Sequence, residues 1–252
     1  MTARPTADLP TAPAAPTAPA TAPLPARAAI RLSIILPVLD ESAAIGATLE
    51  SLAPLRAAGH ELLVVDGGSQ DNTVALCQRA GCQVLGSTRG RARQMNAGAA
   101  RAQGEVLVFL HADSQLPAHA DTLIGLALQQ GALWGRFDVR IEGPSSLLPV
   151  IAALMNLRSR WSGIATGDQA MFVRRSVFES LGGFADQPLM EDIELSRRLK
   201  RLGRPACLRQ RVITSGRRWD RHGLWRTIVL MWRLRLRYWL GASAQQLAKA
   251  YR

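Results

Sequence analysis

The chain has 252 residues, which suits one large domain or two small ones, and 48% of them are hydrophobic, enough for a substantial core. A formal net charge of +12 points to anionic partners, with a nucleotide substrate and an anionic membrane surface both open. No nucleic-acid-binding signature accompanies that charge, so nucleic acid is not expected as a partner. The three cysteines, Cys77, Cys82 and Cys207, are odd in number and match no metal or redox spacing, so free thiols in a reducing compartment are expected. No apolar run reaches the roughly 18–20 residues of a membrane span, and the N-terminus lacks a basic region followed by an apolar stretch. A cytoplasmic location is the expectation.

Residues 1–29 are almost entirely Pro, Ala and Thr, a composition of extended disorder, and are set outside the fold. Arg31–Pro37 is an apolar run fit for a buried strand, ended by Pro37. Asp40-Glu41-Ser42 read as a helix start, followed by Ile45, Leu49 and Leu52 at helical spacing up to Pro54. A second strand, Glu61–Asp66, runs into Gly67-Gly68-Ser69-Gln70-Asp71-Asn72-Thr73. These glycines let backbone approach a ligand, and Asp71 or Asn72 can cap the next helix. The loop is neither a dinucleotide G-x-G-x-x-G nor a Walker loop. Gln83–Leu85 is a short third strand. Arg89, Arg91 and Arg93 then crowd a helix entry beside glycine and small residues. They suit a diphosphate, or else form a solvated basic face.

The central feature is Glu105-Val-Leu-Val-Phe-Leu-His-Ala-Asp113, a buried strand ending in an exposed carboxylate. Ligands of open α/β sheets bind beyond the carboxyl ends of strands. Asp113 there either holds a hard cation or caps a turn. Further on, Leu123, Leu126 and Leu128 mark a helix, and Trp134–Ile141 alternates as a strand. Residues 145–161 are helical, and Thr166–Val173 is a polar turn into a strand. Met190–Leu199 is a helix opened by acids and closed by bases, and Cys207–Ile213 is a strand. Strands alternating with helices early, then a less regular second half, indicate an α/β fold with a nucleotide half and an acceptor half.

Six stretches carry a family resemblance: Ile34–Glu41, Val65–Thr73, Met95–Gly98, His111–Asp113, Gly182–Phe184 and Glu191–Leu195. In this order they resemble the inverting family-two glycosyltransferases of the GT-A fold, over roughly residues 31–220. The resemblance implies a Rossmann-like mixed sheet flanked by helices over 30–220, followed by an amphipathic helical segment at 221–252. More narrowly, Arg89–Asn96, Gly167–Gln169 and Arg217–Trp219 resemble a bacterial subgroup labelled rSAM/selenodomain-associated, or arsenosugar-biosynthesis, transferase.

The roles implied follow residue by residue. Pro37 and Glu41 would line the nucleotide pocket and Asp66 would meet the base, usually uracil. Arg93, Asn96 and Arg218 would complete the nucleotide-sugar site. Asp113 would hold Mg or Mn against the donor diphosphate. The usual D-x-D is here His111-Ala-Asp113, so His111 either joins the metal or simply packs. Asp192 would be the general base, with Glu191 the alternative. Arg218-Trp219 resembles the end of the Q-x-x-R-W element of processive relatives without its glutamine, which speaks against a polymerase.

The expected activity is transfer of a sugar from a nucleotide-diphosphate donor to an unknown acceptor hydroxyl. The alternatives are a nucleotidyl- or phospho-transferase on a similar sheet, or a non-catalytic binding protein. Over 221–240, Leu224, Ile228, Met231, Trp232, Leu236 and Trp239 share a broad helical face opposite Arg226, Arg233 and Arg237, while Arg235 interrupts the apolar side. This segment either lies on an anionic membrane surface, placing the chain at the inner face of the cell membrane, or packs on the domain.

Overall fold

The structure, a computed structural model, describes residues 30–217, 219 and 223–251. The tail 1–29 and Arg218 lie outside the described residues. Strands β1 (Leu32–Val38), β2 (Glu61–Asp66), β3 (Gln83–Gly86) and β4 (Val106–Phe109) alternate with helices α1 (Ile45–Ala57), α2 (Thr73–Arg79) and α3 (Arg91–Arg101). The chain continues through β5 (Ser114–Gln115), α4 (Ala120–Gln129), β6 (Trp134–Glu142), α5 (Leu148–Ser162) and a 3-10 turn at Gly167–Gln169. It then forms β7 (Met171–Arg174), α6 (Arg175–Ser180), α7 (Glu191–Leu202), β8 (Ala206–Ser215), α8 (Leu224–Trp239) and α9 (Ala244–Tyr251).

One eight-stranded sheet has the order β3-β2-β1-β4-β7-β6-β8-β5. The strands β3, β2, β1 and β4 are parallel, and β7 joins β4 antiparallel. This is the mixed α/β sheet of the GT-A expectation. Strands β1, β2 and β4 read as apolar runs because both their faces are covered, whereas β3 at the sheet's edge is half exposed. Leu32, Ile34, Leu36 and Val38 of β1 face a core with Leu49 and Leu52 of α1, Cys77 of α2 and Ile124 of α4. Ile35 points to the opposite core, with Met95 of α3, Phe178 of α6 and Leu195 of α7. Gly98 lets α3 approach the sheet: a Cβ there would lie 2.6 Å from Ile35 Cγ2.

Four boundaries differ from the sequence reading. The central strand β4 stops at Phe109, and Asp113 stands four residues on, in the turn before β5. Pro37 does not end β1, which runs on to Val38. The β1–β4 ladder stops at the Ile35–Phe109 pair, and Ile35 O accepts the Leu110 N–H. By strand alternation Pro37 therefore faces a place where no ladder donor is needed. Pro54 sits inside α1 rather than after it, and Glu50, whose carbonyl loses a donor to the ring, is exposed to water. The helix expected at Asp40-Glu41-Ser42 starts at Ile45 instead, because those three residues are bonded to the loop after β2. The short elements β5, α6 and α9 carry too few residues for a periodic signal.

The C-terminal helix packs on the domain along part of the face expected to meet lipid. Leu224 and Ile228 join Val139, Ile151 and Ala152, and Met231 and Leu234 join Met190 and Ile193. Trp225, Trp232 and Trp239 remain 72%, 72% and 70% exposed.

Candidate functional site

The carboxyl ends of β1, β2 and β4 open onto one edge of the sheet. Two loops at that edge are stitched together. Gln70 N donates to Asp40 Oδ1 at 2.7 Å, Glu41 N to Thr73 Oγ1 at 2.8 Å and Ser42 N to Asp71 Oδ2 at 3.0 Å. Hydrogen bonds from Thr73 and Ser42 hold the Asp71 carboxyl well below the usual carboxylate range. Asp66 accepts the N–H groups of Gly68 and Ser69 at 3.0 and 3.1 Å, which fixes the glycine turn. Beneath both loops, buried Gln94 donates to the carbonyls of Val38 and Val65 at 2.8 and 2.9 Å. Pro37, Glu41 and Asp66 are thus brought to one rim.

Asp113 follows β4 at the same edge. Arg217 Nη2 donates to Asp113 Oδ2 at 3.2 Å and to Glu41 Oε2 at 2.7 Å. Two carboxylates from distant segments therefore converge on one cationic group. These oxygens, together with diphosphate oxygens and water, are the hard donors that Mg or Mn takes. The guanidinium stands where a cation is attracted, so the residues fit such an ion. Among the described residues no group of three His, Cys, Asp or Glu side chains gathers, so phosphate and water would supply the remaining ligands.

His111, two residues earlier, faces the other way. Its Nδ1 lies 3.3 Å from Asp168 Oδ1 in the 3-10 turn, and its ring packs against Gly167. Burial would raise the Asp168 carboxyl, but the His111 hydrogen bond and charge, with Arg91 and Arg235, bring it down to about 2 although 45% of its side chain remains open. Asp192 Oδ2 accepts the Gly167 N–H at 2.8 Å and Oδ1 its neighbour's N–H, from Ile193, at 2.7 Å. Glu191 is buried; burial and then the charge of Asp192 raise its carboxyl, while Arg91, with Nη1 3.9 Å away, offsets part of this. A small pocket is lined by Arg91, His111, Gly167, Glu191 and Asp192. Backbone is strained beside these groups: Asp40, Ala170 and Met190 have φ of 52°, 43° and 65°. Non-glycine residues held there cost about 1–3 kcal/mol each and cluster at functional sites.

Arg93 and Asn96 do not join the pocket. Arg93 pairs with exposed Asp186 at 2.7 Å, and the Asn96 amide bonds the main chain of Phe184 in both directions, at 2.8 and 2.9 Å. Both hold the Gly182–Asp186 turn that leads to α7. Sequence reasoning gave no individual role to Gln94, Asp168 or Arg217, and it set Arg91 with Arg89 and Arg93 at a diphosphate or on a solvated face, whereas the structure puts Arg91 beside Glu191. Gln94, Asp168 and Arg217 each fall in a stretch that carried the narrower resemblance, Arg89–Asn96, Gly167–Gln169 and Arg217–Trp219.

A parallel half-sheet with Glu41, Asp66 and Asp113 at its carboxyl edge, joined through antiparallel β7 to a mixed half, with α7 bringing in Glu191 and Asp192, has the architecture of the GT-A glycosyltransferase class. Residues 33–182 match Glycosyl transferase family 2, and the chain belongs to that family. A PGL/p-HBAD biosynthesis glycosyltransferase of Mycobacterium tuberculosis is 32% identical over 62% of this chain and 64% of its own length. A probable glycosyltransferase of Bacillus subtilis is 27% identical over 69% of this chain and 47% of its own. The chain thus spans less than two thirds of these relatives. In fold it resembles TarS of S. aureus, solved with UDP, with a TM-score of 0.59, 18% identity and coverage of 74% of this chain and 60% of that one. It also resembles glucosyl-3-phosphoglycerate synthase of Mycobacterium tuberculosis, solved with Mn2+, UDP and glucosyl-3-phosphoglycerate, with a TM-score of 0.54, 20% identity and coverage of 74% and 71%.

Proposed function

We propose that this chain transfers a sugar, with inversion, from a nucleoside diphosphate donor, UDP-sugar first, to an acceptor hydroxyl. The observation that carries the reading is the His111–Asp113 turn. One side chain reaches the Arg217–Glu41 cluster, and the other lines the pocket of Asp192. Donor and acceptor chemistry thus meet at one turn. The UDP-bound and Mn2+-bound relatives support the choice of donor and ion.

Pro37, Glu41 and Asp66 take the nucleoside end. Asp113 and Glu41 would hold Mg or Mn, which would supply positive charge against the leaving diphosphate. Arg217, which bridges these two carboxylates here, would yield their oxygens to the ion and turn its charge to the diphosphate. On the opposite side Asp192 takes the acceptor's hydroxyl proton. Its main-chain bonds aim the carboxylate, and a direct displacement inverts the anomeric carbon. His111 is kept from the cation by Asp168 and acts in positioning. Arg93 and Asn96 serve the site through the Gly182–Asp186 turn.

The subgroup named above is proposed on Arg89–Asn96, Gly167–Gln169 and Arg217–Trp219 alone. A peripheral, cytoplasmic-side placement is proposed too. Its supports are exposed Trp225, Trp232 and Trp239 beside Arg226, Arg233 and Arg237, and three free thiols.

The test is product analysis with a panel of sugar nucleotides and Mn2+. UDP release with an inverted anomeric centre is expected. Pyrophosphate release instead, or no UDP binding, overturns the reading.

A further inference from the structure

Arg235 interrupts the apolar side of α8, and the packing of that helix gives it a place. Leu230, Met231 and Leu234 of α8 cluster with Met190 and Ile193, which flank Glu191 and Asp192. Nearer its start, Leu224 and Ile228 cluster with Ile151, Ala152 and Met155 of α5. The helix therefore lies over both α5 and the start of α7. Arg158 is one turn beyond Met155 on α5.

Ile151 of α5 and Ile228 of α8 meet in the cluster nearer the start of α8, and Arg158 and Arg235 each stand two turns further along the same helix face. The packing therefore brings the two onto facing sides of α5 and α8, and each also feels the charge of Asp192 and Asp168. Yet the carboxylates around them are committed elsewhere. Asp168 pairs with His111, and Asp192 accepts two main-chain N–H groups. Asp138 is held by Arg136 and by Arg160. Among the described residues neither Arg158 nor Arg235 has an ion-pair partner, and Arg158 Nε and Nη2 are buried with no acceptor. Burial, then the charge of Arg235, pushes the Arg158 guanidinium down to about 10.

Two half-buried guanidinium groups on facing helices repel, and the Arg158 nitrogens buried without an acceptor are costly to leave unpaired. A doubly charged tetrahedral anion between them turns that repulsion into attraction, and the planar forks of arginine suit its oxygens. The donor diphosphate is already assigned to the Asp113–Arg217 side, so this charge faces the acceptor.

We propose that Arg158 and Arg235 form an anion subsite beside Asp192 that holds a phosphate group on the acceptor, with α8 supplying one of its two arms. The assignment to the acceptor rests on the transferase reading above. A phosphate monoester on a soluble molecule and one on a lipid share this chemistry.

The experiment uses the full chain with the donor site filled by UDP and Mn2+, UDP affinity being measured first. One arm titrates glycerol 1-phosphate against glycerol by calorimetry. The other measures flotation with phosphatidylcholine vesicles, with and without a long-chain monoalkyl phosphate. A preference for the phosphate in one arm is expected, and the arm that shows it names the source. Arg158→Met and Arg235→Met should each weaken that binding tenfold or more with UDP affinity unchanged, while Arg226→Met leaves glycerol 1-phosphate binding as it was. If Arg158→Met does not fold, Arg235→Met carries the test. No preference in either arm, or a preference that survives Arg235→Met in the folded protein, overturns the subsite. Failure to bind UDP, with the phosphate preference intact, overturns the transferase reading and leaves an anion site.

Discussion

Asp192 accepts the main-chain N–H of Gly167 at 2.8 Å, and the same glycine lies against the imidazole of His111. One backbone position therefore aims the carboxylate on α7 and sets the ring at the end of β4. A Cβ at position 167 would collide with His111 Nε2 and Cε1.

Gly167→Ala should lower turnover by about 10²-fold, the cost of misplacing a reacting group by about an ångström. UDP affinity should stay near wild type, because the Glu41–Asp66 rim is untouched. Equal kcat in the folded variant would show that the ring and carboxylate are not jointly placed.

Asp192→Asn should cost about 10²–10⁴-fold in turnover, the usual contribution of a positioned base. Asparagine keeps the shape and one oxygen for Gly167, so folding should hold. If Glu191→Gln alone gives the large loss, the base is Glu191.

Asp113→Ala should abolish stimulation by Mn2+ and weaken UDP-sugar binding. EDTA should do the same to the wild-type protein. Activity that is full in the variant, or indifferent to EDTA, removes the divalent ion from the mechanism.

Glu191 gives a test through stability. Burial and the neighbouring Asp192 raise its folded carboxyl above the unfolded value. The folded state therefore binds this proton more readily, and folding loses stability as pH rises through the range between the two values. Glu191→Gln should be more stable than wild type to urea at pH 7, with the difference vanishing as pH falls below the ordinary glutamate range. A difference that is constant with pH would contradict the raised carboxyl.

Flotation tests the exposed face of α8. Replacing Trp225, Trp232 and Trp239 together with serine should abolish binding to anionic vesicles while leaving UDP affinity unchanged, since the packed face carries Leu230, Met231 and Leu234 instead. Wild-type protein that does not float with such vesicles ends the membrane assignment.

Much of the fold was legible in the chain. β1, β2 and β4 announce themselves as apolar runs because a strand covered on both faces has no polar side to show. Ile45, Leu49 and Leu52 mark α1 because a helix covered on one side repeats every three to four residues. Asp113 could be placed at the sheet's carboxyl edge because the end of an apolar run is local information, although β4 itself stops at Phe109, and Glu191–Asp192 could be placed because helix starts favour acids. Pro37 and Pro54 misled because proline's cost depends on whether its missing N–H was needed, which the neighbouring strand or solvent decides.

The sequence by itself determined the parallel half of the sheet, the acids at its carboxyl edge and the helix that presents Asp192. Each is written in periodicity and end-of-element chemistry within a dozen residues. Only the tertiary structure decided which charges meet. Arg217 reaches Glu41 across 176 positions, Arg93 turns to Asp186 across 93, and Asp168 finds His111 rather than open water. Arg235, a flaw in an amphipathic pattern when read along α8, gains a place on the side toward α5 once that helix packs over α5 and α7. A guanidinium reaches several ångströms from its backbone, and its partner is chosen by packing that no local pattern records.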